Sequence, residues 1–369
     1  MQHSGKTYFP NLDASRFFAF LPVFFTHVFF TKDPEISNTA VYRFIENHMK
    51  VGILGLDYFF VLSSFLITWV ILEEYSNTGI FSFKNYFIRR SLRIWPLYFL
   101  IVTATYTAGY FFTFSQLPPI IVYLLFVSNF YIIEHGDAFL FLLVILWSVS
   151  VEEQFYLLWA VLLKFFKKYL VPVSIAMIVI SVLFRWQVIE EQKVLYFHTL
   201  STLANFAIGA LCAHVGRNKN AIFQFLKSIP KAQVASIYFL LFLNIIFYKD
   251  IYDNQVMQVL ERLIFSLFFA FIIFDQCFSD ASLFKLGRWK FTNYFGNASF
   301  GLYCFHGIVI SIFTKLADTY AWKFSLWQVS ILNPLILLIL TLLISFLSYE
   351  FLEKHIIKLK AKFYSLNPS

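Results

Sequence analysis

The sequence is short of charge. Asp, Glu, Lys and Arg together make up 14% of its 369 residues, against about 25% in an ordinary soluble domain. Too few polar side chains are present to cover a water-facing surface, so a soluble globular fold is excluded. Cysteine is nearly absent. Cys212, Cys277 and Cys304 all fall inside apolar runs, and an odd, scattered set of this kind excludes a disulfide framework and offers no metal site. Gly/Ser linkers, low-complexity tracts and internal repeats are missing too, which excludes tandem domains. We expect one domain over residues 1–369, with its core at about 11–355.

What is there is hydrophobic. Apolar residues reach 59%, with 50 Phe and 21 Tyr, and the mean hydropathy is +0.70. A helix needs about 20 residues to cross the hydrocarbon core. Eleven segments qualify as candidates: 17–30, 52–72, 94–114, 118–133, 139–163, 170–184, 196–215, 234–247, 257–278, 297–316 and 329–352. The first is flanked by Arg16, carries His27 and lacks a small-residue cleavage site after it, so it reads as a retained helix and not a cleaved signal. The fold class expected is all-α, a polytopic transmembrane bundle.

The net charge of +8 does not call for nucleic acid, because positive loops on the cytoplasmic side account for it. If the N-terminus is cytoplasmic and segment 118–133 makes no net crossing, that side holds 19 Lys and Arg against 8 opposite, with Arg16 and Arg262 inside spans. If segment 118–133 crosses, the balance inverts to 10 against 17. We therefore expect about ten crossings, one short re-entrant or peripheral segment, and both termini in the cytoplasm. Pro96, just after the basic run, is expected near a helix start, where a missing N–H is tolerated.

Ionisable groups inside a bilayer cost about 2.5–3.5 kcal/mol at a helix centre on insertion scales, so each is a functional candidate. Arg16 and His27 are eleven residues apart, which puts them on one helix face about 16 Å apart along the axis. A buried histidine can take and return a proton near neutral pH, as general acid–base work on a hydroxyl requires; the alternative is a structural histidine bonded between helices. Glu152 and Glu153 stand together in an apolar span. Adjacent helical positions point about 100° apart, so the two do not share a proton; a structural ion pair is the alternative. Lys84, Arg89, Arg90 and Arg93 precede a span. They read either as a topology anchor or as an anion clamp, since guanidinium forks suit phosphates. Asp57, Ser63, Asn129, Asn205, Arg262 and His306 add polar groups at membrane depth.

Six blocks occur in order along the chain: LDASRFFAFLPVFFTH, GLDYFFVLSSFLIT, FIRRSLRIWPLYF, LWSVSVEEQFYLLW, FGNASFGLYCFH and SYEFLEKHI. Together they resemble the membrane-bound acyltransferase-3 family, which acylates carbohydrates and related acceptors. The resemblance implies that Arg16 and His27 form the family's Arg-x10-His signature, with His27 catalytic as base or acyl carrier. It implies that Arg89, Arg90 and Arg93 lie where acyl-coenzyme A, acetyl-coenzyme A as the simplest case, approaches as donor substrate; no bound cofactor or metal is implied. Glu152 and Glu153 form the acidic block, with Glu153 expected to orient His27, and Tyr303 and His306 match the late tyrosine–histidine block. The acceptor implied is a carbohydrate or lipid-linked glycan, reached from an integral position in a bacterial cytoplasmic membrane among its lipids.

Two departures stand out. Ser64 replaces a glycine in the LSSFL block, and Glu353-Lys354-His355 replaces a Glu-Arg-Pro pattern. The short tail after the last helix leads to the expectation of the stand-alone form, without the hydrolase-like domain some members carry. A glycolipid transporter or a non-catalytic partner in glycan assembly is the competing reading. Inverted repeats and paired broken helices, which would favour transport, are not detectable in the sequence.

Overall fold

A computed structural model describes residues 7–112 and 117–363, and every regular element among them is helical. Lys6, ahead of the first expected span, and Phe114, at the end of the third, lie outside the described residues. By length and composition six helical runs can cross a membrane, or seven when Ala221–Lys227 and Lys231–Ile246, bent by 88°, count as one. The expected ten exceeds that number.

The helices that organise the bundle are α1 (Pro10–Val28), α2 (Leu54–Thr78), α3 (Phe83–Phe112), α4 (Trp147–Phe166) and α5 (Leu170–Gln187). They continue with α6 (Leu203–Asn218), α7 (Lys231–Ile246), α8 (Gln255–Phe278), α9 (Ser299–Thr319) and α10 (Asn333–Ser348). Contacts between their tips define two ends. At the near end Thr7 bonds Glu73, Asn11 bonds the Gln276 carbonyl, and Arg89 reaches the Phe363 carbonyl. At the far end Thr26 bonds the Met49 carbonyl, Arg185 the Val259 carbonyl, and Lys32 pairs with Asp318. Successive helices run alternately between the two.

Residues 141–187 form one helical stretch of 47 residues, too long for a single pass at 1.5 Å per residue. The backbone leaves helical geometry at Phe166 (φ −125°, ψ 26°) and Tyr169 (φ −101°, ψ 16°). There the chain turns back. Lys164 reaches Tyr75 at the near end, and Arg185 returns to the far end. Segment 118–133 does not traverse the bundle. It splits into Ile121–Leu124 and Ser128–His135 around Phe126, whose φ is +54°.

One expectation is corrected. Pro96 lies inside a 30-residue helix rather than near its start, because the basic run from Lys84 is itself helical. Pro96 thereby removes the N–H that the Leu92 carbonyl would accept in a regular turn.

Close backbone approach holds the centre. α6 packs most extensively on α2, and a Cβ at Gly209 would sit 2.2 Å from the Val61 carbonyl oxygen. Ser64, in the place of the family's glycine, is accommodated there: it is fully buried and donates to the Phe206 carbonyl at 2.5 Å. Glu353, of the altered terminal block, is also buried, accepting from Ser348 at 2.9 Å beside Gly301. Outward faces are apolar. On α7 only Val234 is buried while Phe239, Leu240 and Phe242 are exposed, a distribution suited to hydrocarbon and not to water.

Candidate active site

α1, α2, α3, α4 and α9 border a half-open chamber of about 90 Å³, lined among others by Arg16, Ser63, Arg90, Arg93, Glu152 and Tyr303. A second cavity of about 250 Å³ lies toward the near end, bordered by Thr7, Tyr8, Asp13, Arg89 and Lys360. Arg16, Leu66, Arg90 and Arg93 line both. The two spaces are therefore a funnel and an inner chamber separated by a ring of guanidinium groups.

Local sequence explains the ring. Arg89 and Arg93 are one turn apart on α3, and Arg90 is offset by about 100° from Arg89. Arg89 points into protein, with both it and Glu74 buried, and the pair is bonded at 2.9 Å. Arg90 lies over the Tyr156 ring, 5.0 Å from its centroid. Neither Arg90 nor Arg93 forms an ion pair among the described residues. Arg16 pairs with Asp13, which also accepts from Tyr8 at 2.6 Å. Three guanidiniums thus meet two carboxylates, Asp13 and the chamber's Glu152, and the one positive charge in excess suits a phosphate-bearing ligand.

The acidic pair divides. Glu152 lines the chamber and accepts from Ser63 at 2.8 Å, while Tyr156 donates to the same Ser63 at 3.1 Å. Glu153 points away, accepting from Trp95 Nε1 at 3.1 Å, and its Oε1 is buried without a partner. The expected bond between Glu153 and His27 is not formed, because the 100° offset carries Glu153 toward α3.

His27 does not line the chamber. Its ring lies 5.0 Å from Phe141 and 5.4 Å from His306, centroid to centroid. His306 is fully buried, bonds the Tyr303 carbonyl through Nδ1, and leaves Nε2 without a partner; His27 Nδ1 is likewise buried and unpartnered. With Nδ1 donating, His306 Nε2 presents a lone pair. Tyr303 connects this pair to the chamber, its hydroxyl bonding the Ile145 carbonyl at 2.6 Å and Ser148 at 2.7 Å. Arg16, Arg90, Arg93, Glu152 and Tyr303 are thus gathered around one space. His27 and His306 form a second group one helical turn beyond Tyr303, and Arg89 and Glu153 bond within the protein.

Sequence reasoning missed the roles of Ser148, Tyr156 and Asp13. A signal was available. Ser148, Glu152 and Tyr156 follow an i, i+4, i+8 pattern that puts them on one face of α4, and Asp13 stands three residues before Arg16. No group of three or more metal-ligating side chains is gathered among the described residues.

The chain is 26% identical over 371 residues to YrhL of Bacillus subtilis, named as a candidate peptidoglycan O-acetyltransferase, covering 95% of this chain and 55% of the relative. It is 25% identical over 377 residues to the peptidoglycan O-acetyltransferase OatA of Listeria monocytogenes, covering 96% and 56%. A Staphylococcus aureus protein named as a candidate O-acetyltransferase is 26% identical over 374 residues, with 95% and 58% covered. The chain spans little more than half the length of these curated relatives. No solved structure matches it. The family model described as an acyltransferase domain matches residues 9–350, and so the chain belongs to the acyltransferase-3 family.

Proposed function

We propose that this protein is an integral membrane O-acyltransferase that moves an acyl group, acetyl in the simplest case, from cytoplasmic acyl-coenzyme A to a hydroxyl of a carbohydrate acceptor. The observation that carries this reading is the guanidinium ring between funnel and chamber, formed by Arg16, Arg90 and Arg93. It lies toward the near end, to which both ends of the described chain and most of the loop Lys and Arg belong. By the positive-inside rule that end is cytoplasmic. Ten membrane crossings with both termini inside follow, six or seven of them qualifying by length and hydropathy alone.

The phosphates of the donor bind the ring by charge-assisted bonds, and the thioester extends past Tyr303 toward His27. His27 takes the proton of the acceptor hydroxyl as that oxygen attacks the thioester carbonyl. The C–S bond breaks, and the thiolate leaves and takes the proton back from His27. A transient acyl group on His27 is the other route, with the acceptor attacking in a second step. The peptidoglycan named for two relatives makes a cell-wall glycan the first acceptor to try.

The test is thioester consumption by purified protein in nanodiscs, with acetyl-coenzyme A and a glycan acceptor. Stoichiometric thiol release and acylated glycan support the reading. Glycan flux into vesicles without thiol release would establish a transporter instead.

A further inference from the structure

The guanidinium ring has one positive charge in excess, with Arg16, Arg90 and Arg93 set against Asp13 and Glu152. Coenzyme A brings more negative charge than that. Its diphosphate is ionised, and its ribose carries a separate 3′-phosphate monoester of about −1.5 to −2. Further cations must meet the donor, and the funnel outside the ring is the place for them.

The depth of the site decides which phosphate goes where. From thioester sulfur to diphosphate the donor's arm is thirteen bonds long, about 15 Å at the rise of an extended peptide chain of equal bond count. Arg16 and His27 stand about 16 Å apart along α1. A thioester at His27 therefore puts the diphosphate at the ring. The 3′-phosphate then lies farther out, in the funnel of about 250 Å³.

One cation of the funnel wall comes from neither α1 nor α3. Beyond α10 the chain continues as helix to Phe363, whose carbonyl accepts from Arg89 at 2.7 Å. Residues 354–363 thereby pack along the basic end of α3. They hold four lysines and no carboxylate. Lys354 is paired with Glu350 at 2.8 Å. Lys358 and Lys362 are exposed, whereas Lys360 is half-buried and lines the funnel. Helical phase explains the difference, because at about 100–120° per residue Lys360 comes out on the side opposite to Lys358 and Lys362. Asp13 is the only carboxylate in the funnel wall among the described residues, and it is paired with Arg16. An ammonium on a flexible stem is a point charge with rotatable donors, suited to a phosphate monoester.

We propose that Lys360 is the seat of the donor's 3′-phosphate, and that the C-terminal helical segment is the outer wall of the donor site, selecting coenzyme A over its dephosphorylated form. The proposal rests on the acyl-coenzyme A reading. Arg89, bonded within the protein, then has a task in binding too: it holds in place the wall that carries Lys360.

The experiment is calorimetric titration of the whole chain in phosphatidylcholine nanodiscs with coenzyme A and, separately, with dephospho-coenzyme A, which lacks only the 3′-phosphate. Wild type should bind coenzyme A about tenfold or more tightly than the dephospho form, the value of a charge-assisted bond. Lys360→Ala should raise the Kd for coenzyme A to that for dephospho-coenzyme A and leave the latter unchanged, which also shows that the variant is folded. Lys360→Arg should keep the preference, and so should Lys362→Ala, at an exposed position of the same segment. A wild type that binds both forms equally overturns the proposal. So does a Lys360→Ala variant that keeps the preference, or that loses affinity for both forms alike, as it would if the lysine served a lipid headgroup or only the packing of the tail. Binding of neither form by wild type would instead end the acyl-coenzyme A reading, and the proposal with it.

Discussion

Arg89 and Arg93 are one helical turn apart, yet they do different work. Arg89 is bonded to buried Glu74 and to the Phe363 carbonyl. Breaking such a pair strands a buried charge at about 3–5 kcal/mol. Arg89→Ala should therefore lower the Tm in detergent by several degrees, whatever its effect on turnover. Arg93 borders both funnel and chamber without an ion pair. Arg93→Ala should leave Tm within a degree or two of wild type and raise the KM for acetyl-coenzyme A by about tenfold or more, the value of a charge-assisted bond. Equal KM values would remove Arg93 from the donor site. His27→Ala, with Tm retained, should cut transfer by about 10²–10⁴-fold, the range for a lost general base; full activity in the folded variant would remove His27 from the chemistry. The acidic pair offers a third comparison. Glu152→Gln should lower kcat because Glu152 faces the chamber, while Glu153→Gln should keep the Trp95 bond and most of the turnover. Sequence alone could name the pair but not divide it. The division depends on which face of α4 meets the cavity, and that is decided by partners 89 residues away, at Ser63, and 58 residues away, at Trp95.

At the scale of elements, apolar runs made the helices readable, since in a bilayer a helix must satisfy its own backbone. Interruptions were read from charge as well as from proline. The turn at residues 167–169 carries no Pro or Gly, but the lysines between runs 139–163 and 170–184 marked it, and contacts of Lys164 with Tyr75 and of Arg185 with Val259 hold it. Pro96 misled, being a strong local signal overridden by packing around a long helix. Ser64 is the most instructive departure. A hydroxymethyl group fits where the resemblance led to the expectation of glycine because Gly209 faces it, with its ideal Cβ 3.0 Å from Ser64 Cβ. The space removed on α2 is returned on α6. Gly209→Ala should therefore destabilise the bundle by about 1–3 kcal/mol, the usual cost of overpacking, read as a lower Tm. Ser64→Gly should not rescue it, because the nearest obstacle to the new Cβ is the Val61 carbonyl at 2.2 Å and not the serine.

At the scale of the whole molecule, orientation decides whether the chemistry makes sense. The proposed donor, acyl-coenzyme A, is made in the cytoplasm, so the guanidinium ring can meet it only if the near end faces that side. Charge counting is the ground for proposing this orientation, since with ten crossings 19 of the basic residues fall on one side and 8 on the other. Individual loops would not have sufficed. Site-directed labelling tests the arrangement directly. In a background where Cys212, Cys277 and Cys304 are replaced by Ala, the exposed positions Lys249→Cys and Asp318→Cys at the far end should react with a membrane-impermeant maleimide in intact cells. Lys84→Cys and Lys290→Cys, exposed at the near end, should react only after permeabilisation. The reverse pattern would put the anion ring outside, where acyl-coenzyme A is absent, and would end the donor assignment at Arg16, Arg90 and Arg93 together. Labelling of all four positions from one side would instead break the alternation of the helices.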